Sequence, residues 1–311
     1  MAASGELRAT LLVALSAAGW GTWSLFLRGC GIAPIWQSVM ILVVVALVSL
    51  PLALRQSLAR SRRARARAMD GEGAPARARA GVLIMLVALL GAFDAGNYYF
   101  FFSAIARGPV GVAVLSHYLA PVMACALAPL VLSEPLSART PAAVVASLVG
   151  LGMLLLGAGG MHGDSVPAAI LGGVSAFFYG GNMLTSKRLL RDLSGVELLS
   201  FHCFIAATLL AVLAPFVAGA PPSLTLFLGR PLVGTLLLGC LCGATFYLGL
   251  AKIPAQRAAV LTYFEPLVAA LVGVFVWGEQ LGALGIAGAG LILAGGIAVA
   301  TAEDGPGPSP S

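Results

Sequence analysis

The chain has 311 residues, of which 59% are hydrophobic and only 10% charged, and its mean hydropathy is +0.99. These values exclude an ordinary soluble domain and describe an integral membrane protein. The formal net charge of +6 does not point to nucleic acid, because the basic residues sort by membrane side rather than into one patch.

Ten apolar runs are long enough for α-helices crossing a hydrocarbon core about 30 Å thick. They cover 9–28, 33–54, 81–105, 109–132, 140–159, 165–186, 196–217, 231–251, 256–277 and 282–301. The runs are apolar on all sides, without the period-two alternation of a membrane barrel, so the expected fold is an all-α bundle. The first run carries "GWGTW" with Trp20 and is read as a retained span, not a cleaved signal. An arginine-rich stretch, 55–80, follows the second and reads as a loop. The third contains Asp94, Asn97 and "YYFFF" at 98–102, and the fourth contains "HYLAP" at 117–121. His162 and Asp164 fall in a short connection with no expected chemical role. The sixth holds Asn182, a weak site candidate, and the seventh holds His202, set aside because it lies near the span's end. The ninth contains "TYFEP" at 262–266, and 302–311 reads as a disordered tail. The five cysteines read as small apolar residues, neither metal ligands nor disulfides.

With the N-terminus in the cytoplasm, all of the 18 basic residues except Arg28, Arg107 and Arg230 fall on the cytoplasmic side. Positive charge resists translocation, so both termini are expected there. The arginine-rich stretch could also meet anionic lipid.

Sliding the chain on itself by 145 residues aligns Ala113 with Ala258, Tyr118 with Tyr263, Pro121 with Pro266, Glu134 with Glu279 and Gly150 with Gly295. An offset of 159 aligns "SAAGWG" at 16–21 with "SAFFYG" at 175–180, and the difference matches an insertion in the arginine-rich stretch. The chain therefore divides into residues 1–159 and 160–301, each with five spans. An odd number of spans turns the second half upside down, which is the inverted-repeat plan of secondary transporters.

On "GWGTW", "HYLAPVMACALAPLVLSEPL", "TYFEPLVAALVGVFVWGEQL" and the glycine-rich fifth and tenth spans, the chain resembles the drug/metabolite transporter superfamily, specifically its EamA-type members. The resemblance covers about residues 8–300. It implies ten helices in two repeats and movement of amino acids, other small metabolites, nucleotide sugars or cationic drugs, with many members exporting.

Residues kept in both halves serve the shared scaffold, whereas polar residues found in one half serve something asymmetric. Pro121 and Pro266 are expected to kink their helices, and Glu134 and Glu279 to cap or anchor helix ends. The small residues Ala142, Ala146 and Gly150, with Gly285 and Ala289, suit close packing within the chain or a homodimer. Asp94, Asn97, His117 and Glu265 have no counterpart in kind, and all lie at depth in the bilayer, where an ionisable group costs about 2.5–3.5 kcal/mol. Asp94 and Glu265 are expected to give a central cavity negative potential, with His117 and Asn97 orienting a ligand. Trp20, Tyr98, Tyr99, Tyr118 and Tyr263 are the candidate walls for a ring or an ammonium group.

No GxxxxGK[ST], HExxH or GxSxG motif is present, so neither an ATP site nor a cofactor or metal centre is expected. The expected function is a secondary transporter that exports a small cationic or zwitterionic metabolite, with proton coupling through Asp94, Glu265 or His117. Lysine is scarce beside arginine, as in GC-rich genomes, which suggests a bacterial inner membrane. The alternatives are a non-transporting scaffold or sensor, and a membrane-embedded enzyme using Asp94, His117 and Glu265 as acid and base.

Overall fold

The computed structural model describes residues 2–69, 76–107, 110–135, 137–157, 166–278, 280 and 282–301. Glu279, His162, Asp164 and the tail 302–311 lie outside the described residues. All regular structure among the described residues is helical: α1 (Ala2–Trp20), α2 (Trp23–Leu27), α3 (Pro34–Met69), α4 (Ala76–Arg107), α5 (Val110–His117), α6 (Ala120–Leu132), α7 (Thr140–Gly157) and α8 (Val166–Leu189) form the first part. Then come α9 (Gly195–Ala218), α10 (Leu224–Phe227), α11 (Arg230–Gly234), a π-helical stretch Thr235–Cys242, α12 (Gly243–Leu250), α13 (Ala255–Leu261), α14 (Phe264–Trp277) and α15 (Ala283–Ala300).

Eight helical segments among the described residues are long and apolar enough to cross a membrane. Of the ten expected spans, α15 supplies a shorter apolar helix, Ala283–Val299. The other, α8, has 24 residues but is less apolar, because Ser175, Tyr179, Asn182 and Ser186 recur along one of its faces. Large apolar side chains point outward around the bundle, Phe216 at 86% and Phe275 at 82% exposure, which suits a lipid surround and not water.

The expected arginine-rich loop is largely helix. α3 runs unbroken to Met69 and α4 begins at Ala76, because alternating Ala and Arg are both strong helix formers. The two proline-bearing spans do break as expected. α5 ends at His117 and α6 starts at Ala120, while α13 ends at Leu261 and α14 starts at Phe264. Pro121 and Pro266 have no N–H to give to residues 117 and 262. The ladder tightens to i→i−3 bonds there, Leu119 N to Ser116 O and Tyr263 N to Val260 O.

Matching helices of the two halves lie antiparallel. On α3 and α9, Trp36 Nε1 donates to Gly219 O at 3.2 Å and Ser200 Oγ donates to Ala46 O at 3.0 Å. On α7 and α15, Gly150 faces Gly288 and Ser147 faces Gly295. The buried packing stripe of α7 is thus Ala143, Ser147 and Gly150, while Ala142 is exposed and Ala146 half-buried. α4 crosses α8, and α1 crosses α12 in the same antiparallel sense, with Ser16 Oγ 2.8 Å from Thr245 Oγ1.

One end of the bundle is clasped by polar side chains. Lys187 Nζ donates to Leu250 O (2.8 Å) and Ile253 O (2.7 Å), and Arg191 donates to Leu132 O (2.7 Å). Glu134 Oε2 accepts from Ala255 N at 2.7 Å, capping α13. Ion pairs join Arg257 to Glu6 and Arg60 to Glu197. At the other end Trp277 Nε1 donates to Ser24 Oγ, and the Arg28 guanidinium lies 4.7 Å over the Trp277 ring.

Candidate functional site

A cavity of about 440 Å³ lies between the halves. It reaches Ser24, Leu27 and Gln37 toward the end that carries Arg28, and it stops at Ser186, Leu199 and His202 toward the clasped end. Of the residues singled out from sequence, Trp20, Asp94, Asn97, Tyr98, His117 and Glu265 line it. The aligned tyrosines do not. Tyr118 and Tyr263 pack in a core cluster with Leu151, Leu154, Leu267 and Ile292, where Tyr263 Oη donates to Tyr118 O at 2.9 Å. Tyr118 still bears on the cavity, since its hydroxyl lies beside the Glu265 carboxyl. Tyr99 packs against the core and Phe100.

His117 is held by a relay that sequence reading missed. Ser175 Oγ lies 2.9 Å from His117 Nδ1, 2.9 Å from Asn97 Oδ1 and 3.1 Å from Asn97 O. A hydroxyl has one proton, and the Asn97 oxygens can only accept it. Nδ1 is therefore the donor to Ser175, and Nε2 of the neutral ring carries a lone pair. The ring is sandwiched, with Tyr179 stacked at 5.0 Å and 10° and Phe101 at 4.5 Å.

Asp94, on α4, faces α8 and α9. Asn182 Nδ2 donates to its Oδ1 at 3.3 Å, and His202 Nε2 is 3.6 Å from its Oδ2. The sequence position of His202 argued against a site role, yet the structure puts it on the cavity wall and 4% exposed. Cys203, read as a packing residue, also lines the cavity, with Sγ 3.5 Å from His202 Nε2.

Trp20 is fixed by Nε1 donating to Leu238 O at 2.9 Å, in the π-helical stretch, and by contact with Phe246 at 4.9 Å. Such π turns concentrate at functional sites. Asn182, the weak candidate, lines the wall with the missed Tyr179 and Ser186, and with Ser175 behind them they fall at i, i+4, i+7 and i+11 of α8. This polar stripe on one helix face was the available signal. Among the described lining residues there are two carboxylates and no Lys or Arg.

With this geometry in place, the comparisons decide the family. The sequence model of the EamA-like transporter family matches residues 7–156 and again 166–301, one match per half. The chain belongs to the EamA-like transporter family. An Archaeoglobus fulgidus protein described as an uncharacterized transporter is 29% identical over 197 residues, covering 63% of this chain and 68% of its own. A solved crystal structure superposes with a TM-score of 0.70 over 94% of this chain and 98% of that one, at 21% identity, and shares the fold. As an EamA-like protein the chain is a multi-pass membrane transporter, built from two copies of one unit around the cavity.

Proposed function

We propose that this transporter exports a small cationic or zwitterionic metabolite, such as an amino acid or an organic amine, across a bacterial cytoplasmic membrane by a secondary mechanism. The observation that carries this reading is the pairing of Asp94 and Glu265 with aromatic walls in a cavity whose described lining has no basic residue. Carboxylates attract the ammonium group, and Trp20, Tyr98 and Tyr179 offer ring faces to it. A nucleotide sugar would instead need basic partners for its phosphates.

The clasped end coincides with the end rich in Lys and Arg, so in this reading it is cytoplasmic, both termini lie there, and ten helices span the membrane. The clasp is then the closed inner gate of an alternating-access cycle, with the cavity directed outward. Asp94, His117 and Glu265 have separate neighbours, Asn182 and His202, Ser175, and Tyr118 respectively. That separation favours binding over acid–base catalysis, which needs groups converging on one reacting atom. A charged cavity likewise favours transport over a closed scaffold.

The test is thermal melting of purified protein against amino acids, organic cations, sugars and nucleotides, beside Asp94→Asn and Glu265→Gln. A ligand that binds only the folded protein raises the melting temperature. Cations or zwitterions should stabilise the wild type, and either substitution should weaken that binding at least tenfold. Equal stabilisation of all three proteins by neutral or anionic ligands would sink the reading. In liposomes, uptake driven by an imposed pH gradient tests proton coupling, and a rate indifferent to the gradient removes it.

A further inference from the structure

Three donor atoms converge on one wall of the cavity: Asp94 Oδ2, His202 Nε2 and Cys203 Sγ all lie within 4.8 Å of one another. His202 Nδ1 is 2.6 Å from Leu198 O, and a carbonyl can only accept, so Nδ1 holds a proton and Nε2 is the ring atom left for the cavity wall. Nε2 lies 3.6 Å from Asp94 Oδ2 and 3.5 Å from Cys203 Sγ. A metal ion is the one partner that engages nitrogen, oxygen and sulfur at once.

We propose that Asp94, His202 and Cys203 form a three-ligand site for a zinc-class divalent ion, with the fourth position open to the cavity. This rests on the reading of the cavity as a cation site and narrows the cation at this wall.

The chemistry and spacing fit. Nitrogen, thiolate and carboxylate are the ligand types of zinc, and bonds of about 2.0 Å to nitrogen and 2.3 Å to sulfur in a tetrahedron put those two atoms about 3.5 Å apart. Here they are 3.5 Å apart, and nitrogen and oxygen are 3.6 Å apart. A carboxylate and a thiolate also cancel a double positive charge, so the loaded site is neutral at a depth where net charge is costly. Binding breaks the S–H bond of Cys203, forms a metal–sulfur bond and releases the proton to water. The outer partners are already in place. Leu198 O fixes the imidazole tautomer and Asn182 Nδ2 holds the second carboxylate oxygen, the arrangement that orients metal ligands elsewhere.

None of the three residues is repeated in the other half. The 145 offset pairs Asp94 with Gly239, and the 159 offset pairs His202 and Cys203 with Val43 and Val44. The repeated scaffold therefore has no need of them.

Cobalt(II) is the probe, because it takes zinc sites and reports on its ligands. Metal-free, full-length protein in detergent is titrated with Co²⁺, then with Zn²⁺ in competition. The expected result is a thiolate-to-cobalt charge-transfer band with intense tetrahedral d–d absorption, displaced by Zn²⁺. Cys203→Ser should abolish the charge-transfer band, His202→Gln should weaken affinity at least tenfold, and Asn182→Ala should weaken it about tenfold or more. Cys240→Ser should change nothing. No band in the wild type overturns the proposal whether or not the variants fold, and so does a band that survives both Cys203→Ser and His202→Gln. If the band is absent while an ammonium ligand still raises the melting temperature, the metal site falls and the transport reading stands. If the band forms and no organic ligand stabilises the protein, the metal site stands and the organic substrate falls.

Discussion

Gly21 and Gly180 stand at matching places in the two halves, each against the start of the helix that follows a proline-bearing break. A Cβ on Gly21 would meet Glu265 O at 2.4 Å, Val268 Cβ at 2.7 Å and Ala269 N at 2.9 Å. On Gly180 it would meet Ala120 O at 3.4 Å, Met123 Cβ at 3.6 Å and Ala124 N at 3.8 Å. The neighbours correspond one for one at the 145 offset, so the contact is the same contact, tightened on one side. The tight side carries Glu265, and the looser side leaves room for the His117 sandwich between Phe101 and Tyr179. A duplicated scaffold has thus diverged by small shifts in helix spacing as well as by substitution, and both carry chemistry.

The largest break in this comparison should come from Gly21→Ala. Backbone atoms of α14 cannot turn aside as a side chain can, so a loss of about 3 kcal/mol is expected in denaturation of the purified protein. Ser175→Ala comes next, at about 2 kcal/mol, because it leaves both His117 Nδ1 and Asn97 Oδ1 without their shared partner. Tyr263→Phe should cost about 1 kcal/mol through the lost bond to Tyr118 O. Tyr118→Phe should act instead on ligand affinity, since its hydroxyl lies beside Glu265, and equal effects of the two substitutions on melting would erase the distinction. The smallest effect belongs to Gly180→Ala, where the space admits a methyl group and helix propensity favours alanine by up to about 1 kcal/mol. A Gly180→Ala protein that melts like Gly21→Ala would show that the two contacts are equivalent after all.

Much was legible in the residues. The repeat at offset 145, the two proline breaks and the asymmetry of Asp94, Asn97, His117 and Glu265 all follow from spacing and residue type. The last four do line one cavity. Their partners were less visible. Ser175 is an unremarkable serine until its hydroxyl falls between His117 and Asn97. The packing stripe of α7 keeps Gly150 but takes Ala143 and Ser147 in place of Ala142 and Ala146, because an all-apolar helix gives no polar face from which to phase it. Helical extension through Arg55–Arg67 was hidden by reading charge as loop, although Ala and Arg both favour helix.

The sequence by itself determined the membrane class, the two-unit plan and four members of the polar set, Asp94, Asn97, His117 and Glu265, because hydropathy, internal periodicity and residue type are local or pairwise properties of the chain. Only the tertiary structure decided which polar groups meet. It withdrew Tyr118 and Tyr263 into a core and brought His202 and Cys203 to Asp94. Those outcomes depend on how far α4, α8 and α9 approach and how each is rotated, which is set by packing summed over many contacts and not by any short stretch of residues.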